Sequence, residues 1–151
     1  MQEVHLFFPI FIHTESEKVR QLNPRKIYAV DTGLVRACSR RTDPDTGHLL
    51  ENLVFLELRR RGLETAYYRT ASGRELDFIA RASGQPPMLV QVCTDISDEE
   101  TRAREVGALR EAMTEVGADS GTVVTLFEEA TLEAGSGHID VVPAWRWVTG
   151  W

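Results

Sequence analysis

Cysteine is scarce in this sequence, and its scarcity excludes one class of protein. The 151 residues contain two cysteines, Cys38 and Cys93. Two cysteines do not make a disulfide framework, so the composition is typical of a reducing compartment, and we expect the cytoplasm. The four histidines lack metal-ligand spacing, and neither cysteine lies in a C-x-x-C motif. We therefore do not expect a zinc site.

Long apolar runs are also missing. The longest, Leu6 to Ile12, is interrupted by Pro9 and is too short to span a bilayer. Glu3 stands where a signal peptide carries positive charge, so we expect neither secretion nor a membrane partner. No G-x-x-x-x-G-K-[ST] motif occurs, which excludes a Walker A loop and ATP hydrolysis by that route.

Basic residues are few and unevenly placed. The net charge is −6, which disfavours a general nucleic-acid binder, and only Lys18 and Lys26 are lysines. Thirteen of the 17 basic residues nevertheless lie in the first 81 positions, so a local basic surface is one interpretation. A solvated face without a ligand is the other. The candidates for nucleic-acid contacts are Arg59, Arg60, Arg69 and Arg74.

The length and composition are those of an ordinary globular domain with a short extension. With 42% hydrophobic and 26% charged residues, the chain is neither disordered nor fibrous. Two apolar stretches, His5–His13 and Arg25–Asp31, are joined by a polar connector and predict a β-hairpin. Arg36 to Gly47 is the best linker. We therefore expect a hairpin and linker over residues 1–44 and an α/β domain over residues 45–151.

The second region has the pattern of a mixed sheet flanked by helices. Asp45 or Thr46 caps a buried helix that ends at Gly62, and Ser97 with Glu100 forms a capping box for a second helix. The second helix carries the apolar stripe Val106, Leu109, Met113 and Val116. The predicted strands are 65–70, 74–81, 88–94, 121–127 and 139–142, and a short turn or helix follows over 143–148.

Strand alternation groups the candidate site residues. It places Leu76, Phe78 and Ala80 on one face of their strand, with Glu75 and Asp77 on the other. If the apolar faces of neighbouring strands align, Gln91 and Cys93 join the two acids. Carboxylate and amide oxygens suit a hard cation such as Mg²⁺, which activates water for phosphodiester cleavage. The alternative is that these side chains cap strand ends or pair with arginines.

Four stretches resemble one family in the same order along the chain. They are NPRKIYAVDTGL (23–34), GHLLENLVFLEL (47–58), SGRELDF (72–78) and VVPAWRW (141–147). The family is the uncharacterised C-terminal domain that follows the ATPase and winged-helix parts of prokaryotic AAA-type ATPases. Its core is similar to the PD-(D/E)XK, or restriction-endonuclease-like, nuclease fold. The resemblance therefore implies such a core, with residues 1–30 resembling the wing hairpin of a winged helix.

The resemblance also implies a site, and it implies that the site is altered. Glu51 matches the first-helix acid and Asp77 the second-strand aspartate, while Gln91 and Cys93 fall on the glutamate and lysine of the E-x-K triplet. Gln91 lacks the charge that attracts a divalent ion, and Cys93 cannot supply an ammonium to the developing phosphate charge. Glu75 is a further candidate ligand, with Mg²⁺ or Mn²⁺ as the cofactor that an active site would need.

Two functions follow as expectations. The first is a degenerate nuclease-like module, without ATPase activity of its own, that binds or assembles with the ATPase and winged-helix parts of its parent protein. The second is a metal-dependent DNA endonuclease with a non-standard site built on Glu51, Glu75, Asp77 and Gln91. Nucleic acid is a candidate partner in both interpretations, and the sequence leaves a homo-oligomer open.

Overall fold

A six-stranded mixed sheet lies between helices, with a two-stranded sheet added near the N-terminus. The structure is a computed structural model that describes residues 6–38 and 45–150. The strands are β1 (Phe7–Ile10), β2 (Lys26–Ala29), β3 (Glu64–Arg69), β4 (Glu75–Arg81), β5 (Met88–Val92), β6 (Ser120–Thr125), β7 (Ala130–Ala134) and β8 (Gly137–Pro143). The helices are α1 (Glu17–Leu22), α2 (Thr32–Cys38), α3 (Thr46–Arg60), α4 (Glu99–Val116) and α5 (Ala144–Thr149). In these ranges no helix combines the length and the hydropathy needed to cross a membrane.

The sheet combines antiparallel and parallel pairs. Its strand order is β3-β4-β5-β6-β8-β7. β3, β4 and β5 pair antiparallel, as do β7 and β8, whereas β6 is parallel to both β5 and β8. The helix α4 connects β5 to its parallel neighbour β6, as a parallel pair requires. The predicted mixed sheet flanked by helices is therefore confirmed.

Local sequence explains the helix ends. The Asp45 carboxylate accepts a hydrogen bond from the backbone N–H of His48 at the start of α3, and Gly62 follows its end with a φ of +73°. The α4 cap differs from the prediction, because Asp98 and not Ser97 accepts from the N–H of Thr101, at 2.8 Å. The Asp98 carboxylate, one residue after Ser97, is the acceptor that caps the helix, so α4 begins at Glu99.

Several elements were not predicted, and they are short or exposed. The connector of the N-terminal hairpin contains α1, which buries none of its residues. β7 is an edge strand of five residues without a fully buried side chain, and its short alternation of Ala130, Leu132 and Ala134 with polar residues is too weakly apolar to indicate a strand by itself. α2 takes up the first part of the predicted linker, and residues 39–44 of that linker lie outside the described residues. The antiparallel pairing of β1 with β2 agrees with the predicted hairpin.

The sheet separates two apolar cores. The core beneath α3, α5 and the hairpin includes Tyr28, Phe55, Phe78 and Trp147. The core beneath α4 includes Leu76, Ile79, Leu109, Val123 and Ile139. The hairpin therefore packs on the same side of the sheet as α3, and that side holds the candidate site.

A bulge in β4 changes which side chains share a face. Tyr68 pairs with Leu76 but Ala66 pairs with Ile79, so two steps along β3 match three along β4. As a result Leu76 and Ile79 both pack under α4, while Phe78 and Ala80 pack under α3. The predicted grouping of Leu76 with Phe78 is therefore wrong, because regular alternation cannot anticipate the extra residue.

The contact between α4 and β6 generates a stability prediction. Leu109 is fully buried, and a Cβ at Gly121 would lie 2.9 Å from its side chain. We expect Leu109→Ala to cost about 2–5 kcal/mol of unfolding free energy and Gly121→Ala about 1–3 kcal/mol. The double variant should cost clearly less than the sum, since each change relieves the defect of the other. Denaturant unfolding measures all three, and Gly47→Ala with Leu109→Ala, a distant pair, should be additive.

Candidate functional site

Three carboxylates meet on the α3 side of the sheet around one ammonium. Glu51 lies on α3, and Glu75 and Asp77 lie on β4. The Nζ of Lys26, on β2, is 3.0 Å from Glu51 Oε1, 3.0 Å from Glu75 Oε1 and 2.8 Å from Asp77 Oδ1. We call these four side chains the Lys26 cluster. It joins the N-terminal hairpin to both a helix and a central strand of the α/β domain.

The hairpin delivers Lys26 by ordinary strand geometry. Lys26 and Tyr28 are two residues apart on β2, so they point to the same side of it. Tyr28 is buried in the α3 core, where its ring stacks on Phe55 with centroids 4.4 Å apart. This packing directs Lys26 toward Glu51, one helical turn before Phe55 on α3.

Further hydrogen bonds hold the carboxylates and the hairpin in place. The Tyr28 hydroxyl donates to Glu51 Oε1 at 2.7 Å, and the backbone N–H of Val92 donates to Asp77 Oδ2 at 2.9 Å. The buried amide of Asn52 accepts from the N–H of Ala29 and donates to its carbonyl. Asn52 thus satisfies backbone groups of β2 that have no strand partner there. Polar contacts from neighbouring positions of α3 fix the hairpin.

The pKa shifts reflect one cation among three acids. Burial disfavours the charge of Lys26, but the carboxylates of Asp77 and Glu51 outweigh burial and raise the pKa of Lys26 above 10.5. Burial raises the pKa of Asp77 to about 6; the nearby Lys26 opposes this shift and Glu51 adds to it. Burial also raises the pKa of Tyr28, which stays a phenol that donates to Glu51. The Lys26 side chain therefore stays charged at neutral pH, and the pKa of Asp77 lies well above that of an ordinary aspartate.

Gln91 and Cys93 do not join the Lys26 cluster. Cys93 and Leu89, the neighbours of Gln91 at alternate positions, pack in the α4 core. Gln91 itself donates to Glu105 of α4 at 2.7 Å and accepts from the backbone N–H of Asp77 at 3.1 Å. The prediction that both residues share a face with Asp77 is wrong, because the β4 bulge turns the acids toward α3. The thiol of Cys93 contacts the carbonyl of Asp95, and burial raises its pKa.

The four candidate arginines are separated and already have partners. Arg59 and Arg60 end α3, whereas Arg69 and Arg74 lie at the far end of the β3–β4 hairpin. Arg59 stacks on the ring of Phe8, and Arg60 donates twice to Glu57. Arg69 lies 3.5 Å from Glu75, and Arg74 lies 3.7 Å from Glu111. This arrangement differs from the single basic surface that was one interpretation of the sequence.

The geometry at the Lys26 cluster does not fit a divalent ion as it stands. In the ranges 6–38 and 45–150, no three His, Cys, Asp or Glu side chains are placed to hold a metal ion. The ammonium of Lys26 lies between the oxygens of Glu51 and Asp77 that such an ion would need. Gln91, the other predicted ligand, directs its amide oxygen to a backbone N–H. A cation that is part of the chain thus takes the central position of the cluster.

Comparisons with known proteins show the family of this domain. The profile described as "Domain of unknown function (DUF4143)" matches residues 46–147, about two thirds of the chain. The chain belongs to this family. An uncharacterized protein of Methanocaldococcus jannaschii is 30% identical over 154 residues, which cover 96% of this chain and 33% of that relative. The chain thus spans about a third of the length of this relative. No solved structure matches.

The DUF4143 match includes all three acids of the Lys26 cluster but not Lys26. Sequence reasoning also missed Lys26 and Tyr28 as site residues. The available signals were the rarity of lysine and the position of both residues in the NPRKIY stretch, which carried part of the family resemblance. Both side chains point inward from β2, so strand alternation alone could have placed Lys26 and Tyr28 on the same side of that strand.

The two lysines offer a matched test of the Lys26 cluster. Lys26→Met leaves three partly buried carboxylates without their shared cation, and we expect a loss of about 2–3 kcal/mol in unfolding free energy. This range is below that of a fully buried pair, because the Lys26 side chain is 23% exposed. Lys18→Met removes an exposed lysine of α1 and should change stability by less than about 0.5 kcal/mol. Equal effects of the two changes in urea unfolding would contradict the assignment.

The raised pKa of Asp77 gives a pH prediction. Between its ordinary value of 3.8 and the folded value of about 6, the folded state binds more protons than the unfolded state. The contribution of Asp77 to stability therefore falls as pH rises through this interval. Asp77→Asn should remove that fall, which unfolding midpoints measured across the interval detect. Asp119→Asn, at an exposed position before β6, should leave the wild-type pH profile unchanged.

Proposed function

We propose that the chain is a non-catalytic, nuclease-like module that binds or assembles with other parts of an AAA-type ATPase. The observation that carries the proposal is the ammonium of Lys26 among Glu51, Glu75 and Asp77. In this proposal a lysine has the electrostatic role that a metal ion has in an active nuclease. It stabilises the carboxylates and ties the preceding hairpin to the domain.

The order of elements supports a PD-(D/E)XK-like core within this proposal. α3 is followed by the antiparallel strands β3, β4 and β5, then by α4, and then by β6 parallel to β5. Glu51 on the first of these helices and Asp77 on the second strand lie on one side of the sheet, 2.8–3.0 Å from the same nitrogen. Such an arrangement is consistent with an acidic site inherited from a nuclease ancestor.

The assembly role is supported by the family and by the relative. DUF4143 domains are often found at the C-terminus of AAA-type ATPases. Two thirds of the Methanocaldococcus jannaschii relative lie outside the aligned region, so there the domain belongs to a longer protein. In our proposal the hairpin connects the domain to a winged-helix part, and the ion pairs of Lys26 hold the hairpin in a fixed position on the domain. The proposed compartment is the cytoplasm, and nucleic acid is the proposed substrate of the whole assembly.

A second function is favoured by the same ammonium. An active nuclease needs a cation near its metal-bound water, and Lys26 supplies one 2.8 Å from Asp77 although position 93 is a cysteine. In this alternative Glu51, Glu75 and Asp77 would bind Mg²⁺ or Mn²⁺ once Lys26 moves aside, and Lys26 would then orient the attacking water. The two functions differ in whether a divalent ion displaces the ammonium.

Metal titration separates the two functions. For the wild type we expect no Mn²⁺ binding in calorimetry up to about 1 mM metal and no nicking of supercoiled DNA, because the ammonium holds the carboxylates. Lys26→Ala should gain Mn²⁺ binding and a Mn²⁺-dependent rise in melting temperature. Lys18→Ala is the control and should gain neither. Wild-type nicking that needs Mn²⁺ and disappears in both Asp77→Asn and Lys26→Ala would overturn the proposal in favour of the nuclease.

A further inference from the structure

A second feature lies on the opposite face of the sheet and does not depend on the Lys26 cluster. A cavity of about 360 Å³ opens between α1, the segment after β1, and the start of the β3–β4 hairpin. It lies on the α4 side, because its floor includes Ala66 and Ile79, which pack with the α4 core. His13, Arg20, Glu64 and Arg81 also line it. The volume falls within the range of about 300–1,000 Å³ typical of small-ligand sites.

The charged residues that line this cavity are two arginines, Arg20 and Arg81, and one acid, Glu64. Arg81 ends β4, and Arg20 reaches the cavity from α1. Arg25 stands beside it, with its guanidinium 4.8 Å from the ring centroid of the lining residue Phe11. In residues 6–38 and 45–150, neither Arg25 nor Arg81 has a carboxylate at ion-pair distance. Arg20 has only Glu17, at 3.7 Å, in an exposed pair that contributes little.

The local charge balance contrasts with that of the whole chain. Seven charged side chains line the cavity, stand beside it or belong to residues 15–20. They are Glu15, Glu17, Lys18, Arg20, Arg25, Glu64 and Arg81. They carry one positive charge in excess, within a chain whose net charge is −6. Burial and then the fields of Arg81 and Arg20 lower the pKa of His13, which agrees with a positive local potential. An anion is the ligand that this potential attracts.

The shape and chemistry of the lining narrow the class of anion. Guanidinium groups match phosphate oxygens in a two-pronged geometry. The cavity is larger than a bare phosphate, and the half-buried Phe11 gives it an apolar side on which a sugar or base can pack. We propose that this cavity binds the phosphate group of a nucleotide, either free or within a single nucleic-acid strand.

The arginines of this site differ from those that the sequence suggested. Arg60, Arg69 and Arg74 have carboxylate partners, whereas Arg25 and Arg81 have none among the described residues. The α1 helix and the bridge between Ile12 and Tyr67 of β3 bring together arginines that are 61 positions apart in the chain, Arg20 and Arg81. The folded structure thus brings these arginines together in one cavity, which no continuous basic stretch of the sequence predicts.

Binding measurements with two probes test the proposal and identify the source of the phosphate. The first probe is a fluorescein-labelled single-stranded oligothymidylate, followed by anisotropy at about 50 mM salt. The second is AMP, followed by calorimetry. We expect Arg20→Gln and Arg81→Gln each to weaken binding about tenfold, since each removes a charged contact to phosphate. Binding of the oligonucleotide alone assigns the site to a strand, and comparable binding of AMP assigns it to a free nucleotide.

The controls separate a local effect from a general one. Arg102→Gln removes the same charge from an exposed position of α4 and should change affinity by less than about twofold. Arg81→Lys keeps the charge but not the planar fork, so an intermediate loss is expected. Melting curves of the glutamine variants should match the wild type, because Arg81 is exposed without an ion pair among the described residues and Arg20 has an exposed pair that contributes little. Absence of binding by both probes, or equal losses in Arg102→Gln and Arg81→Gln, would overturn the proposal.

Discussion

The structure depends on one partly buried electrostatic interaction, the ammonium of Lys26 held by Glu51, Glu75 and Asp77. Carboxylates that lie this close repel one another, and the shared cation offsets that repulsion. The cation lies 25 residues before Glu51 in the chain, so folding of the helix and central strand is linked to docking of the hairpin. Two hydrogen bonds strengthen this link. The Asn52 amide oxygen accepts from the backbone of β2, and the Tyr28 hydroxyl on β2 donates to Glu51.

The β4 bulge gives the two faces of the sheet different roles. By turning Asp77 toward α3 it separates the acids from Gln91, which pairs instead with Glu105 under α4. The α3 side then carries a polar cluster in which each acid has a partner, beside a cavity of about 550 Å³ that Lys26, Glu51 and Glu75 help to line. On the α4 side the arginine-lined cavity opens beside α1. The acidic cluster and the arginine-lined cavity therefore lie on opposite sides of one sheet.

Much of the fold could be predicted from the sequence, because it follows from periodicity and capping. The stripe of Val106, Leu109 and Met113 and the cap at Asp45 are local signals that tertiary structure did not override. β7 and α1 could not be predicted, since both are short and largely exposed and their apolar patterns are weak.

The candidate site could be predicted only in part. Glu51, Glu75 and Asp77 came from the resemblance and from alternation, and the structure brings them together. Gln91 and Cys93 were placed wrongly because the one-residue bulge in β4 turns Asp77 to the same side of the sheet as Phe78, whereas regular alternation puts these neighbours on opposite sides. Lys26 was missed because its partners are 25 to 51 positions away, a separation at which the sequence alone carries no pairing signal.

Nuclear magnetic resonance of the two lysine ammonium groups tests the central claim most directly. With ¹⁵N-labelled lysine the chain gives two Nζ signals, and Lys18, which is exposed on α1, is an internal reference. We predict that the Lys26 ammonium stays protonated as the pH is raised past 10.5, the ordinary pKa of a lysine, because the carboxylates of Asp77 and Glu51 favour its charge. If the Lys26 ammonium deprotonates near pH 10.5, it is not held by the carboxylates and the account is contradicted.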